Sequence, residues 1–220
     1  MMFHHQHVTN LVIGASGKAG SMILKEASER GHEVTAIVRS ASKMANSDAA
    51  VIEKDIFNLT AADIKGLDVV VNAFGAAPGQ EHLHVEAGRK LIELFKQVPE
   101  TRLIVVGGAG SLYVDEEKTT QLYDTPEFPK EYLPTAKNQG QNLQDLKEAD
   151  GLKWTFISPA AFFNPEGKRT GSYQKGQENL IVNTAGESYI SYADYAIAVV
   201  DEAEKGEHVN ERFTVVGEAQ

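Results

Sequence analysis

A chain of 220 residues, 42% of them hydrophobic, has enough apolar side chain for a sizeable core, and one domain spanning 1–220 is expected. Thirty-one acidic residues against 21 basic ones give a formal charge of -10, which repels phosphate backbones and argues against a nucleic-acid partner. Cysteine is absent, so disulfides, thiolate nucleophiles and Cys-ligated zinc are excluded.

The chain opens with "MMFHHQHV", whose three histidines read as a frayed or added terminus rather than a metal cluster. It lacks the apolar segment and cleavage site of a signal peptide, and no apolar run elsewhere approaches the roughly 20 residues that span a bilayer. A cytoplasmic address and no membrane partner are expected, with no oligomeric state implied.

Next comes "NLVIGASGKAGSMILKEASERG", which predicts strand, tight turn and a helix over 18–30. Ala19, Met22, Ile23 and Ala27 form an apolar stripe, and Gly31 ends the helix. Gly14 allows a sharp turn, Gly17 allows close approach of a pyrophosphate, and Gly20 lets the helix lie against the strand. The helix start then offers free N–H groups to phosphate, so Ser16, Gly17, Lys18 and Ala19 are candidate contacts for a dinucleotide.

The strand "EVTAIV" follows and ends in Arg39 and Ser40, with Lys43 one turn on. NAD-binding folds place an acidic residue at this point for the ribose 2′-OH. Cations here suit a 2′-phosphate instead, so the expected cofactor is NADP(H). The alternative for Arg39 is a solvated charge at a strand end.

Further on, "AAVIEKD", a helical turn near 60–65, "LDVVVNAF", a helix over 82–97 and "RLIVVGG" continue the β-α alternation. The strand runs are continuously apolar, as in strands buried on both faces of a parallel sheet. A doubly wound α/β sheet follows. A polar stretch over 113–134 with three prolines predicts a surface loop. After it come a helix near 135–149, the strand "KWTFISP", an irregular, substrate-facing lobe over 160–190, a helix over 193–204 and the strand "RFTVVG".

Six segments, "GASGKAG", "IVRS", "KDIFN", "NAFGA", "VVGGAGSLY" and "WTFISPAAFF", make nearly the whole chain resemble a known family. It resembles the atypical short-chain dehydrogenase/reductases, in particular the NAD(P)H-binding group of flavin reductase/biliverdin reductase B and NmrA-like proteins. The resemblance implies that Asp55 and Ile56 flank the adenine, and that Ala73, Phe74 and Gly75 run beside the adenosine ribose and phosphates. It places Gly107, Gly108 and Ser111 near the nicotinamide, with Pro159 and Ala160 passing its carboxamide. The physical reading concurs, because each segment closes a strand and ligands of an open parallel sheet sit beyond the carboxyl ends.

The best-known branch of that superfamily uses a Ser with a Tyr-x-x-x-Lys pair. Here Lys137 falls about where the family's lysine does, but four residues earlier stands Leu133; Tyr132 is one residue off and precedes Pro134, which is expected to keep it in the loop. Ser111 and Lys137 are retained as candidate catalytic residues, either as site groups or as loop polar groups. A reductase of a flavin or quinone needs no internal acid, since the proton comes from water. Tyr113, Phe162 and Phe163 are candidate contacts for such a small planar substrate, the phenylalanine pair being alternatively core.

Asp194 reads as a helix N-cap, and His82 and His84 as an exposed pair without metal-ligand spacing. Two functions share these features: an NADPH-dependent reductase of planar acceptors, and an NmrA-like redox sensor that binds the dinucleotide without turnover. An epimerase or dehydratase is disfavoured by the missing tyrosine at 133.

Overall fold

The computed structural model describes residues 8–44 and 49–220. The amino-terminal histidines discussed above lie outside the described residues.

In chain order the elements are β1 (Thr9–Ile13), α1 (Lys18–Glu29), β2 (Glu33–Val38), β3 (Ala50–Glu53), α2 (Ala61–Ile64), β4 (Val69–Asn72), α3 (Leu83–Lys96) and β5 (Arg102–Val106). Then follow α4 (Leu133–Glu148), β6 (Lys153–Ser158), β7 (Phe162–Asn164), β8 (Gln174–Gly176), β9 (Tyr189–Ser191), α5 (Tyr192–Lys205) and β10 (Glu211–Val216). One sheet runs in the order β3-β2-β1-β4-β5-β6-β10-β8, parallel throughout except for β8 at its edge. The order reverses at β1, which leaves a crevice beyond the carboxyl ends of β1 and β4. β7 and β9 form a separate short parallel pair.

Alternation along each strand feeds two cores. Val12 points to the side of α1 and α5, where it joins Ile23, Tyr195, Val199 and Phe213. Leu11 and Ile13 point to the opposite side, among Leu91, Phe95, Leu146 and Phe156. Because both faces are covered, β-branched and leucine side chains dominate these strands, and the polar side chains buried among them, such as Arg102 and Thr155, are hydrogen-bonded. A buried ion pair between Arg102 of β5 and Glu202 of α5 ties the layer of α1 and α5 to the sheet, with Arg102 Nη1 also donating to Thr155 Oγ1 at 3.1 Å.

Three sequence expectations change. Pro134 does not delay α4 but stands in its first turn, where the missing N–H would have had no intrahelical acceptor. Tyr132 is therefore the N-cap residue of α4, at the end of a short 3-10 turn over Lys130–Tyr132. Asp194 is not the N-cap of α5: that role belongs to Ser191, whose Oγ accepts from Asp194 N at 3.0 Å. The Asp194 carboxylate instead accepts from Thr170 N, Gly171 N and Thr170 Oγ1 at 2.9, 3.0 and 2.6 Å, which pins the loop after β7 to α5. The 160–190 stretch likewise contains β7, β8 and the start of β9.

Candidate functional site

A cavity of about 1040 Å³ runs along the carboxyl ends of β3, β2, β1, β4, β5 and β6. Its floor is the turn between β1 and α1, and the three glycines there do different things. Gly14 has φ +75°, and a Cβ on it would lie 2.5 Å from Ala73 O. A Cβ on Gly20 would lie 2.2 Å from Gly14 O, so both glycines are demanded by the packing of the chain on itself. Gly17 has φ -75° and ψ 169°, which any residue adopts, and a Cβ there would meet only Gly14 O, at 3.4 Å. The space above it belongs to the cavity. No side chain caps α1, so its first-turn N–H groups and positive dipole end open onto the wall formed by Ser16, Gly17, Lys18 and Ala19. This cradle fits a pyrophosphate.

At the β2 and β3 end the wall carries Arg39, Lys43 and Lys54. Arg39 and Lys43 are exposed, and no carboxylate among the described residues pairs with either. Glu53 Oε2 accepts from Ala41 N at 3.0 Å and thereby orders the 3-10 turn Ala41–Met44 that presents Lys43. Lys54 Nζ reaches Asp63 Oδ2 at 2.8 Å. Ile56 lines the wall, but Asp55 does not: its Oδ1 accepts from Phe57 N at 2.9 Å, capping the 3-10 turn Ile56–Asn58. That is a correction, and its cause is local, since an aspartate two residues before a free N–H forms an Asx turn.

Past β4, Ala73, Phe74 and Gly75 line the middle of the cavity. Asn72 Oδ1 accepts from Phe74 N at 3.0 Å and holds this loop in place. The Phe74 ring stands edge-on to His84 at 5.6 Å between centroids. His84 is half-buried on the cavity wall rather than exposed, another correction; burial, only partly opposed by Glu81, holds its pKa below the ordinary histidine value.

The β5 and β6 end differs in chemistry. Gly107 and Gly108 line it, and a Cβ on either would lie 2.1 Å from the Phe156 ring or from Gln139 Oε1 respectively. Pro159 and Ala160 follow β6 as a buried wall. Phe162 is 58% exposed at the mouth, whereas Phe163 packs on Tyr192 at 3.9 Å with an interplanar angle of 31°. Phe128, Pro129 and Tyr132 also line the cavity, the last 60% exposed. Burial raises the Tyr192 hydroxyl pKa, keeping that phenol neutral.

Ser111, Lys137 and Tyr113 are not on this wall, and the roles expected for them are corrected accordingly. Ser111 is buried under Arg212 of β10, which donates from Nη1 to Ser111 Oγ at 2.8 Å and Ser158 Oγ at 3.2 Å. From Nη2 the same guanidinium donates to Ser111 O at 3.2 Å and Glu178 Oε2 at 2.7 Å. Lys137 turns away to Asp124 at 3.0 Å and lies over the Tyr123 ring. Tyr113 is held by backbone bridges to Gln121 and Asn179. Among the described residues no Ser-Tyr-Lys set is assembled at the cavity. Sequence reading missed Lys54, His84, Glu127, Phe128, Gln139 and Tyr192. Lys54 alone carried a usable signal, standing beside Asp55 at the end of the third strand.

Residues 14–205 match the family described as NAD(P)H-binding. The chain belongs to this NAD(P)H-binding family. Among relatives, it is 73% identical over 209 residues to YwnB of Bacillus subtilis, an uncharacterised protein, covering 95% of this chain and 98% of that one. Among solved structures, SP1627 of Streptococcus pneumoniae, provisionally named an NADH-flavin reductase, shares 50% identity and a TM-score of 0.88 over 96% of this chain and all of that one. A Bacteroides thetaiotaomicron protein, provisionally named an epimerase, shares 37% identity and a TM-score of 0.84 over 95% of this chain and 97% of its own. The family is NAD(P)H-binding and the fold is the Rossmann-like fold of these solved relatives, and the cavity is where a nicotinamide dinucleotide fits. No helix among the described residues is long and apolar enough to cross a membrane.

Proposed function

We propose that the protein is a reductase that prefers NADPH and passes hydride to a planar acceptor such as a flavin or quinone. The observation that carries this reading is the polarity of one continuous cavity. A phosphate cradle and three cations occupy its β1 to β3 side, and an aromatic pocket with no cation of its own lies past β5 and β6. Gly17 and the open α1 terminus would hold the pyrophosphate, and Arg39 and Lys43, with Lys54 behind them, would meet the 2′-phosphate. The reduced nicotinamide supplies a hydride, and the acceptor takes a second proton from water to complete a two-electron reduction. Phe162, Tyr132 and Phe128 supply an apolar wall on which a flat ring stacks, so the chain contributes position and water exclusion rather than an acid. The placement of Ser111 and Lys137 agrees, because it leaves no acid/base pair of the kind an epimerase or dehydratase would need.

The pneumococcal relative is named for both NADH and flavin. The acceptor half of the proposal follows that name, while the preference for NADPH rests on the unpaired Arg39 and Lys43 of this chain. The deciding experiment is nicotinamide oxidation at about 340 nm against riboflavin, FMN and quinones, with NADPH and NADH in parallel. Turnover with an NADPH preference supports the reading. Tight dinucleotide binding without turnover of any acceptor would replace it with the redox-sensor alternative.

A further inference from the structure

The acceptor pocket also carries an electrostatic pattern that sorts planar acceptors by charge. The cavity wall has four cations, Lys18, Arg39, Lys43 and Lys54, and a single carboxylate, Glu127. Glu127 stands beside Phe128 and Pro129, at the acceptor end, and is exposed. Arg39 closes β2, which is separated from β6 by β1, β4 and β5. With strands spaced about 4.8 Å apart, four steps put the 2′-phosphate cations about 19 Å from the β6 end. That exceeds two Debye lengths of about 8 Å at physiological salt, so those cations give an acceptor at β6 almost no attraction. Lys18 is the one cation whose side chain reaches toward this end, and its Nζ faces Glu166, just past β7, at 3.5 Å. At this end the cavity lining therefore offers a phosphate or carboxylate on the acceptor the Glu127 carboxylate and no cation of its own, Lys18 being paired with Glu166. The formal charge of -10 acts in the same direction.

Resting on the reductase reading above, we infer that the acceptor is a planar ring system without phosphate or carboxylate groups, and that Glu127 is a specificity-determining residue that selects against anionic acceptors. Riboflavin and FMN are the matched probes, since they share the isoalloxazine ring and the ribityl chain and differ by one phosphate. At low ionic strength, kcat/KM with saturating NADPH should favour riboflavin over FMN by about tenfold, and the ratio should shrink as salt rises to about 0.5 M, because rim charges are screened. Glu127→Lys should raise the FMN-to-riboflavin ratio by about tenfold, and Glu127→Gln by less, because reversal removes a repulsion and adds an attraction. Flavin fluorescence quenching by the NADP⁺-saturated protein should show the same order, which makes the charge selection readable without turnover. FMN bound and reduced as well as riboflavin, or a ratio indifferent to Glu127→Lys, overturns the charge selection and leaves the reductase reading standing. If both flavins bind and neither is reduced, the reductase reading fails while the binding order still decides the selection. Binding of neither flavin, with neutral quinones also inert, overturns both.

Discussion

Substitution of Gly17 by valine should separate cofactor binding from folding. The backbone at Gly17 is extended, with φ -75° and ψ 169°, a conformation that suits a β-branched residue. Its Cβ would touch only Gly14 O at 3.4 Å, so no neighbour has to move and the stability cost should stay within about 1 kcal/mol. The branched side chain would then stand in the space over the α1 terminus where a pyrophosphate sits. Losing two charge-assisted hydrogen bonds, each worth about 1.5–3 kcal/mol, lowers affinity by roughly 10²–10⁴ for NADPH and NADH alike. The neighbouring glycines provide the contrast. Gly14→Ala and Gly20→Ala would bring a Cβ to 2.5 and 2.2 Å from backbone oxygens, and should lower the melting temperature before any question of binding arises. The assay is a thermal melt paired with calorimetric titration of both dinucleotides into each variant. A Gly17→Val protein that melts like the parent and binds NADPH with the parent's affinity would refute the placement of the phosphates.

Arg39→Ala should remove most of a roughly 10- to 150-fold preference for NADPH over NADH while hardly changing NADH affinity, as read by competitive titration. Lys137→Ala and Tyr132→Phe should each cost less than about tenfold in kcat with riboflavin, because Lys137 is engaged with Asp124 and Tyr132 is a wall residue; a thousandfold fall for Tyr132→Phe would restore a tyrosine acid. Arg102→Met should destabilise the protein by about 3–5 kcal/mol in denaturant unfolding, since it strands the Glu202 carboxylate in the core. His84 has its folded pKa held below the ordinary 6.5, so the unfolded chain takes up this proton first. Its contribution to stability is intact above that pH and is lost as pH falls below it, and the melting temperature of His84→Gln should decline less steeply than the parent's between about pH 6.5 and 5.

The β1 to β3 wall of the cavity was legible in the sequence because its residues are local. Gly14, Gly17 and Gly20 lie within one turn and helix start, and Arg39 and Lys43 follow one strand, so spacing alone announced them. The parallel sheet was legible from its unbroken apolar runs for the same reason. Ser111 was misread because its partner, Arg212, lies 101 residues away, and nothing near "GGAGS" announces that a guanidinium will claim the hydroxyl. Asp194 does satisfy backbone N–H groups, but those of Thr170 and Gly171, 24 and 23 residues earlier, rather than the start of α5, and Asp55, which the resemblance places beside the adenine, caps the 3-10 turn that follows it. Pro134, expected to hold Tyr132 in the loop, instead stands in the first turn of α4 and makes Tyr132 its N-cap residue, because a proline there sacrifices no intrahelical hydrogen bond. His84 reached the cavity through the packing of α3 on the loop after β4, which no periodicity reports.

Arg212 also bears on the order in which the site comes into being. The strands that carry the phosphate cradle and the 2′-phosphate cations, β1 to β4, are complete by Asn72, early in synthesis. The loop after β5 and the end of β6 are clamped together through Ser111 and Ser158 by a guanidinium on β10, which is made long after β4. A chain emerging at about 5–20 residues per second therefore has the parts of a nucleotide cradle several seconds before it can close its acceptor wall. β10 acts as the keystone of the β5–β6 end of the cavity, and a chain cut short before it would keep the β1–α1 turn without the clamp that holds the far wall together.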